Sequence, residues 1–98
     1  MKKLIVVKTG YPLTSRVQAY RTFFRMGWEV ILIDTPFNQG ASIADKTIIL
    51  PNLNDFDLII QSIDKTVGKP DAVITFNDSG LVLSARIAEY YALRLIQK

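Results

Sequence analysis

Two short polar segments carry the side chains best suited to holding a small ligand. The first is residues 9–16 (TGYPLTSR), and the second is residues 77–80 (NDSG). In the first, backbone N–H groups at a predicted helix start would bind a phosphate or carboxylate beside Arg16. The second offers an amide, a carboxylate and a hydroxyl. The same residues would also serve as plain helix caps, and the sequence leaves both alternatives open.

Composition removes much familiar catalytic chemistry. The chain has no cysteine and no histidine, which excludes disulfides, thiolate zinc, a cysteine nucleophile and histidine-based proton transfer. Residues 9–16 lack the second and third glycines of a GxGxxG loop and do not form a GxxxxGK[ST] loop. Asp34 at the end of a predicted strand is therefore better explained as a turn cap than as a ribose ligand. Asp55 and Asp57 fall in the first turn of a predicted helix, where the helix dipole explains them.

Size and charge indicate one small globular domain, residues 1–98. The chain has 98 residues, 49% of them apolar, and a net charge of +3. Its basic residues are scattered, so we expect no nucleic-acid partner. The apolar run at residues 4–7 is too short for a signal peptide, and no run approaches a membrane span of about 20 residues. We therefore expect a cytoplasmic protein without a membrane partner.

Strands and helices alternate along the chain. Unbroken apolar runs predict strands at 4–8, 29–34, 46–50 and 72–76. Helices are predicted from Thr14 or Ser15 to about Met26, from Asn54 to about Val67, and from 77–79 towards the C-terminus. This alternation predicts an α/β, Rossmann-like, three-layer fold: a four-stranded parallel sheet in the order 3-2-1-4 with helices on both faces. Ligands of such sheets bind beyond the carboxyl ends of the strands, here between the first and the fourth.

The last predicted helix has apolar residues on two sides. One stripe is Leu81, Ala85, Ala88, Ala92 and Leu95, and the other is Leu83, Ile87, Tyr90 and Tyr91. A surface helix needs one apolar stripe. Two stripes predict either a docking face for another domain or a helix that is simply well buried.

Several of these segments together resemble a known family. Residues 70–80 (PDAVITFNDSG) followed by 85–89 (ARIAE) resemble its strand "D-A-V-x-T-x-N-E" and helix "A-x-I-A-E". Residues 15–16 (SR) and 27–30 (GWEV) resemble its "S-R … L-G-x-E-V". The chain is thus similar to the N-terminal, pre-ATP-grasp domain of ATP-grasp carboxylate–amine ligases of the carbamoyl-phosphate synthase and phosphoribosylglycinamide synthetase group. Asp78 stands where many members have Glu, and Ala92 where the family's helix ends in Gly.

The resemblance implies a ligase that works through an acyl-phosphate, in which this domain forms the acceptor-substrate side of the cleft and docks the ATP-grasp domains. The substrate-facing residues it implies are Thr9, Gly10, Ser15, Arg16, Asn77 and Asp78. No catalytic or metal-binding residue is expected in this chain, because ATP and magnesium belong to the ATP-grasp domains. Those domains of the same polypeptide are the expected partners, and a face left uncovered would allow a homodimer. The alternative is a stand-alone Rossmann-like module that binds a small ligand or a protein; a small enzyme in its own right is a weaker third alternative.

Overall fold

A computed structural model describes residues 2–8, 13–36, 40–93 and 95–97, with the backbone alone for 13–16 and 95–97. The elements are β1 (Lys2–Val7), α1 (Leu13–Arg25), β2 (Trp28–Asp34), β3 (Lys46–Ile49), α2 (Phe56–Thr66), β4 (Ala72–Thr75), a 3₁₀ turn (Asp78–Gly80), α3 (Leu81–Tyr90) and β5 (Leu95–Gln97).

The strands form one parallel sheet in the order β3-β2-β1-β4-β5. The predicted order 3-2-1-4 is confirmed. β1 lies at the centre, with Val7 paired to Ile33 of β2 on one side and to Thr75 of β4 on the other. Its apolar residues 4–7 are all buried, as expected for a strand covered on both faces.

Helices cover both faces of the sheet, which confirms the three-layer prediction. Ile5 and Val7 face a core shared with α2 and α3, whereas Leu4 and Val6 face a second core that includes Tyr20 of α1. The handedness of parallel crossovers explains this division. The connection from β1 to β2 runs in one direction across the sheet, and those from β3 to β4 and from β4 to β5 run in the other.

The C-terminal part of the chain differs from the prediction. α3 ends at Tyr90 and does not continue towards the C-terminus, and β5 adds a fifth strand beside β4. A Schellman motif ends the helix: Leu93 N–H donates to Ala88 O (2.7 Å) and Ala92 N–H to Glu89 O (3.2 Å). Ala92 takes the left-handed conformation there (φ 57°), although glycine usually fills that position.

The two apolar stripes predicted for the last helix are not both buried, which contradicts the alternative of a fully buried helix and leaves the docking face a prediction. α3 buries one face, formed by Ser84, Ile87 and Ala88 and continued by Tyr91 just after the helix, at the spacing i, i+3, i+4, i+7. Ala85 and Tyr90, one from each predicted stripe, are exposed. Because Ser84 is a polar residue within this buried face, the helical period of the face is not visible when only apolar residues are considered.

The start of α2 differs from the prediction by one residue. Asp55, not Asn54, caps the helix, and its carboxylate accepts a hydrogen bond from Leu58 N–H (3.1 Å). The helix ends at Thr66, close to the predicted Val67, and Gly68 follows it with φ 82°. This helix brings the residues that precede it, 51–54, to the same edge of the sheet as the end of β1.

Candidate functional site

A short hydrogen bond joins the carboxyl ends of β1 and β4. The buried Thr75 hydroxyl donates to Val7 O (2.6 Å) and accepts from Asn77 N–H (3.2 Å). Gly80, in the turn before α3, packs directly on this junction. A Cβ at Gly80 would lie 2.6 Å from Thr75 Oγ1 and 3.2 Å from Val7 O. The absence of a side chain at Gly80 therefore lets the start of α3 rest on the two strand ends.

Asn77 and Asp78 lie at this edge of the sheet, as predicted. Asn77 caps the 3₁₀ turn: its Oδ1 accepts hydrogen bonds from Ser79 N–H (2.9 Å) and Ser79 Oγ (2.9 Å). Its capping function, one of the two alternatives left open by the sequence, is thus observed. Asp78 is exposed in the first turn, and its carboxylate is accessible to a ligand or another domain.

The other predicted ligand contacts belong to the segment that follows β1. Thr9 and Gly10 lie outside the described residues. The backbone of Ser15 and Arg16 is in the first turns of α1, and their side chains lie outside the described part. A ligand-binding role for these four residues stays a prediction.

Lys8, which the sequence analysis did not select, is directed towards the start of α3. Its backbone is left-handed (φ 61°), while its N–H still donates to Ile33 O (2.9 Å). Its ammonium group donates to Ser79 Oγ at 3.1 Å. Among the residues with described side chains, an ion pair is formed by Lys46 and Glu29 (3.8 Å) and none is formed by Lys8. The positive charge of Lys8 is therefore not neutralised by a carboxylate of the described residues.

Lys8 lines a cleft of about 610 Å³ at this edge of the sheet. The lining comes from strand ends (Lys8, Thr35, Pro36), from the loop between β3 and α2 (Pro51, Asn52, Leu53, Asn54) and from the start of α3 (Ser79, Gly80, Leu83). Among these lining residues, Lys8 alone carries a charge. The part of the lining that the structure describes thus combines one cation with several neutral donors and acceptors and with apolar side chains. Its position at the carboxyl ends of parallel strands is the usual place for a ligand site.

The loop between β3 and α2 was not predicted to belong to the site. Its Asn52 and Asn54 are ordinary loop residues by type. The parallel pairing of β3 with β2 brings them to the same edge as Lys8. The sequence signal that would have identified Lys8 is its position directly after a buried strand.

A second exposed surface lies on the outer side of α2 and α3. The guanidinium carbon of Arg86 lies 4.0 Å from the centroid of the Phe56 ring, and Tyr90 meets the same ring edge-on at 6.2 Å. Tyr90 is 56% exposed and Val82, on the same helix, is 74% exposed. We call Phe56, Val82, Arg86 and Tyr90 the outer α3 face.

Within the described residues, no three acidic side chains come close enough together to hold a metal ion. None of the helices that the structure describes has the length and apolar character needed to cross a membrane.

Comparison with known proteins yields a structural match. No family model and no curated protein matches the sequence. A solved structure, titled "Structure of glycinamide-RNase-transformylase T from Mycobacterium tuberculosis", matches with a TM-score of 0.69 at 18% identity. The match covers 96% of this chain and 26% of that one, so the chain spans about a quarter of the length of the solved protein. At this identity the match establishes the fold: an α/β, Rossmann-like domain shared with part of that transformylase.

Proposed function

We propose that this chain is the N-terminal, pre-ATP-grasp domain of an ATP-dependent carboxylate–amine ligase. The observation that carries the proposal is the structural match, in which nearly the whole chain has the fold of one quarter of a glycinamide transformylase. The motifs at 70–80 and 85–89 support the same assignment independently. β4, the 3₁₀ turn and α3 are formed by these motifs.

In this proposal the carboxyl edge of the sheet forms the acceptor-substrate side of the active-site cleft. Asp78 is an exposed carboxylate on the first turn after β4, where it would meet an amine. Asn77 would support it by fixing the turn through Ser79. ATP and magnesium would be held by further domains of the polypeptide, and the acyl-phosphate would form there. This domain would orient the acceptor and would not be catalytic alone.

The outer α3 face is the proposed docking surface for those ATP-grasp domains. It combines two large exposed apolar side chains with the stacked pair of Phe56 and Arg86. Aromatic and arginine side chains are typical of interface centres. In the isolated domain the same face would favour a homodimer.

The coding sequence beyond the Lys98 codon tests the assignment directly. We expect an open reading frame of roughly 200 or more further codons, the length of one to two domains, with a Gly-rich segment and the lysine and carboxylate residues that bind ATP and magnesium. A stop codon directly after Lys98 would refute the ligase proposal.

Steady-state kinetics of the full-length protein, encoded by the complete reading frame, test whether this domain forms the acceptor side of the cleft. We expect phosphate release from ATP to require both acid and amine, and Asp78→Asn to raise KM for the amine far more than KM for ATP. Asp57→Asn is the matched control, because Asp57 is also an exposed carboxylate in the first turn of a helix. Equal effects of the two substitutions on KM for the amine would contradict the proposed position of the acceptor.

The second candidate function is a stand-alone Rossmann-like module that binds a small ligand or a protein. The cleft beside Lys8 favours it, because about 610 Å³ is within the range of small-molecule sites. A stop codon after Lys98 would support this alternative.

A further inference from the structure

The structure assigns to the cleft beside Lys8 a specific class of ligand. We propose that it binds a small molecule in which an anionic oxygen group, a phosphate or a carboxylate, is joined to a compact apolar part. The inference concerns a site and a ligand class that the ligase assignment does not specify. It applies equally to a ligase domain and to a stand-alone module.

The charge of Lys8 is the first argument. Its ammonium group has three N–H donors, and the described contact with Ser79 Oγ uses one. The described residues that line the cleft include no carboxylate. The ammonium also lies at the start of α3, where the positive end of the helix dipole makes a second positive charge unfavourable. An anion in the cleft would offset both positive charges.

The amide side chains provide the second argument. Asn52 Oδ1 accepts a hydrogen bond from Asn54 N–H (3.0 Å). This contact fixes the carbonyl end of the Asn52 amide and leaves its NH₂ end to donate to a ligand. Lys8 and Asn52 therefore bring donors from two different parts of the fold to one cleft. A ligand with several acceptor oxygens satisfies such a set.

The apolar lining defines the rest of the ligand. Leu53 and Leu83 are half-buried and line the cleft together with Pro36 and Pro51. A bare inorganic anion would leave these side chains in contact with water. The volume of about 610 Å³ accommodates a ring or a short branched chain in addition to the anionic group.

The neighbouring surface has a different character. An adjoining depression, which shares Asn52 and Asn54 with the cleft, contains Asp55, Asp57 and Arg86 beside Phe56. Its two carboxylates oppose an anion, so we expect the anionic group of the ligand to lie beside Lys8.

We would titrate the ¹⁵N-labelled 98-residue chain with phenyl phosphate, benzoate and benzyl alcohol at low salt, and follow the backbone amide resonances. We expect saturable shifts at Asn52, Asn54, Ser79 and Gly80 with phenyl phosphate or benzoate. The stronger of these two probes identifies the anionic group. Benzyl alcohol, the neutral counterpart, is expected to produce much smaller shifts.

Substitution of Lys8 tests the source of the affinity. Lys8→Gly removes the charge, and glycine adopts the left-handed conformation of this position without strain, so the fold is expected to persist. We expect roughly tenfold weaker binding or a larger loss, the usual size of a charge-assisted hydrogen bond. Lys69→Gln removes an equal charge from an exposed position outside the cleft and is expected to leave the affinity unchanged.

Three outcomes would overturn the proposal. The first is no saturable shift with either anion at millimolar concentration, and the second is equally strong binding of benzyl alcohol. The third is an equal loss of affinity in Lys8→Gly and Lys69→Gln, which would indicate nonspecific attraction to surface charge. None of these outcomes bears on the reading frame beyond Lys98, so a failure here is distinct from a failure of the ligase assignment.

Discussion

Replacing Gly80 with alanine is expected to destabilise the domain. The new Cβ would lie 2.6 Å from Thr75 Oγ1, 3.2 Å from Val7 O and 3.3 Å from Val7 Cγ1. The Thr75 hydroxyl cannot simply rotate away, because it donates to Val7 O. The Val7 contacts involve a buried strand in the centre of the sheet. Relief of the clash therefore requires α3 to move away from the strand ends.

The magnitude is set by the steric clash, because backbone strain and helix propensity contribute little. Overpacking of a well-filled interior costs about 1–3 kcal/mol. Gly80 has φ −95° and ψ −5°, which alanine adopts readily, so the backbone adds no strain. At this cap position alanine gains little helix propensity over glycine. We expect a net loss of about 2 kcal/mol in the free energy of unfolding, which for a domain of this size lowers Tm by on the order of 10 °C.

Urea unfolding, followed by the fluorescence of the single tryptophan (Trp28) and by circular dichroism, would measure this loss. The same substitution in a Thr75→Ala background is the critical comparison, because it removes the nearest atom. We expect Gly80→Ala to cost clearly less there, with a coupling energy of about 1 kcal/mol. An equal cost in both backgrounds, or no cost in either, would refute the steric argument.

Three further substitutions have expected outcomes in the same unfolding assay. Ser84→Ala is expected to stabilise the domain by about 1 kcal/mol, because the fully buried hydroxyl of Ser84 has no hydrogen-bond partner among the described residues. Ser62→Ala is the control: it gains the same helix propensity but removes a hydroxyl that donates to the backbone, so it should stabilise clearly less. Ala92→Gly is expected to add about 1 kcal/mol by relieving the left-handed backbone at the end of α3, and a loss of stability would contradict the cap assignment. Burial, together with the hydrogen bond to Asp64, raises the pKa of Tyr91, so the folded chain retains this proton when the unfolded chain loses it above about pH 10. The free energy of unfolding should therefore fall as pH rises beyond that point, and more steeply than in Tyr91→Phe. Equal slopes of the free energy of unfolding against pH in the two proteins, measured from about pH 8 to about pH 11, would refute this account of Tyr91.

The first four strands could be predicted because each is marked by an apolar run of residues, and their order followed from the alternation of strands with helices. The runs at 4–7 and 30–33 are continuously apolar and are buried on both faces. Gly68 and Pro70 mark the end of α2 in the sequence. Each of these sequence features acts within a few residues along the chain, and the structure confirms the strands and the helix end that they predict.

The end of α3 could not be predicted because its signal is absent from the sequence. The turn uses an alanine in a conformation that usually selects glycine. The strain of this left-handed alanine is offset by the hydrogen bonds of the Schellman motif and by the pairing of β5 with β4. Both depend on the assembled sheet, so neither is visible from local residue types.

The candidate site was predictable in position and only partly in composition. Asn77 and Asp78 were found because they follow a strand. Lys8 was not predicted, because the predicted strand 4–8 included it, whereas β1 ends at Val7 and Lys8 has a left-handed backbone. Asn52 was missed because only the pairing of β3 with β2 brings its loop to the site.

The central position of β1 has a consequence for biosynthesis. Its two neighbours, β2 and β4, are separated by residues 35–71, which take roughly 2–8 s to translate at about 5–20 residues per second. Throughout that interval one edge of β1 has no partner strand, because α2 is made before β4 but β4 and α3 follow only after residue 71. The first half of the nascent chain thus has a strand with unpaired backbone N–H and C=O groups and apolar side chains at residues 4–7. Until β4 emerges, this edge of β1 is therefore a place where non-native strand pairing can start.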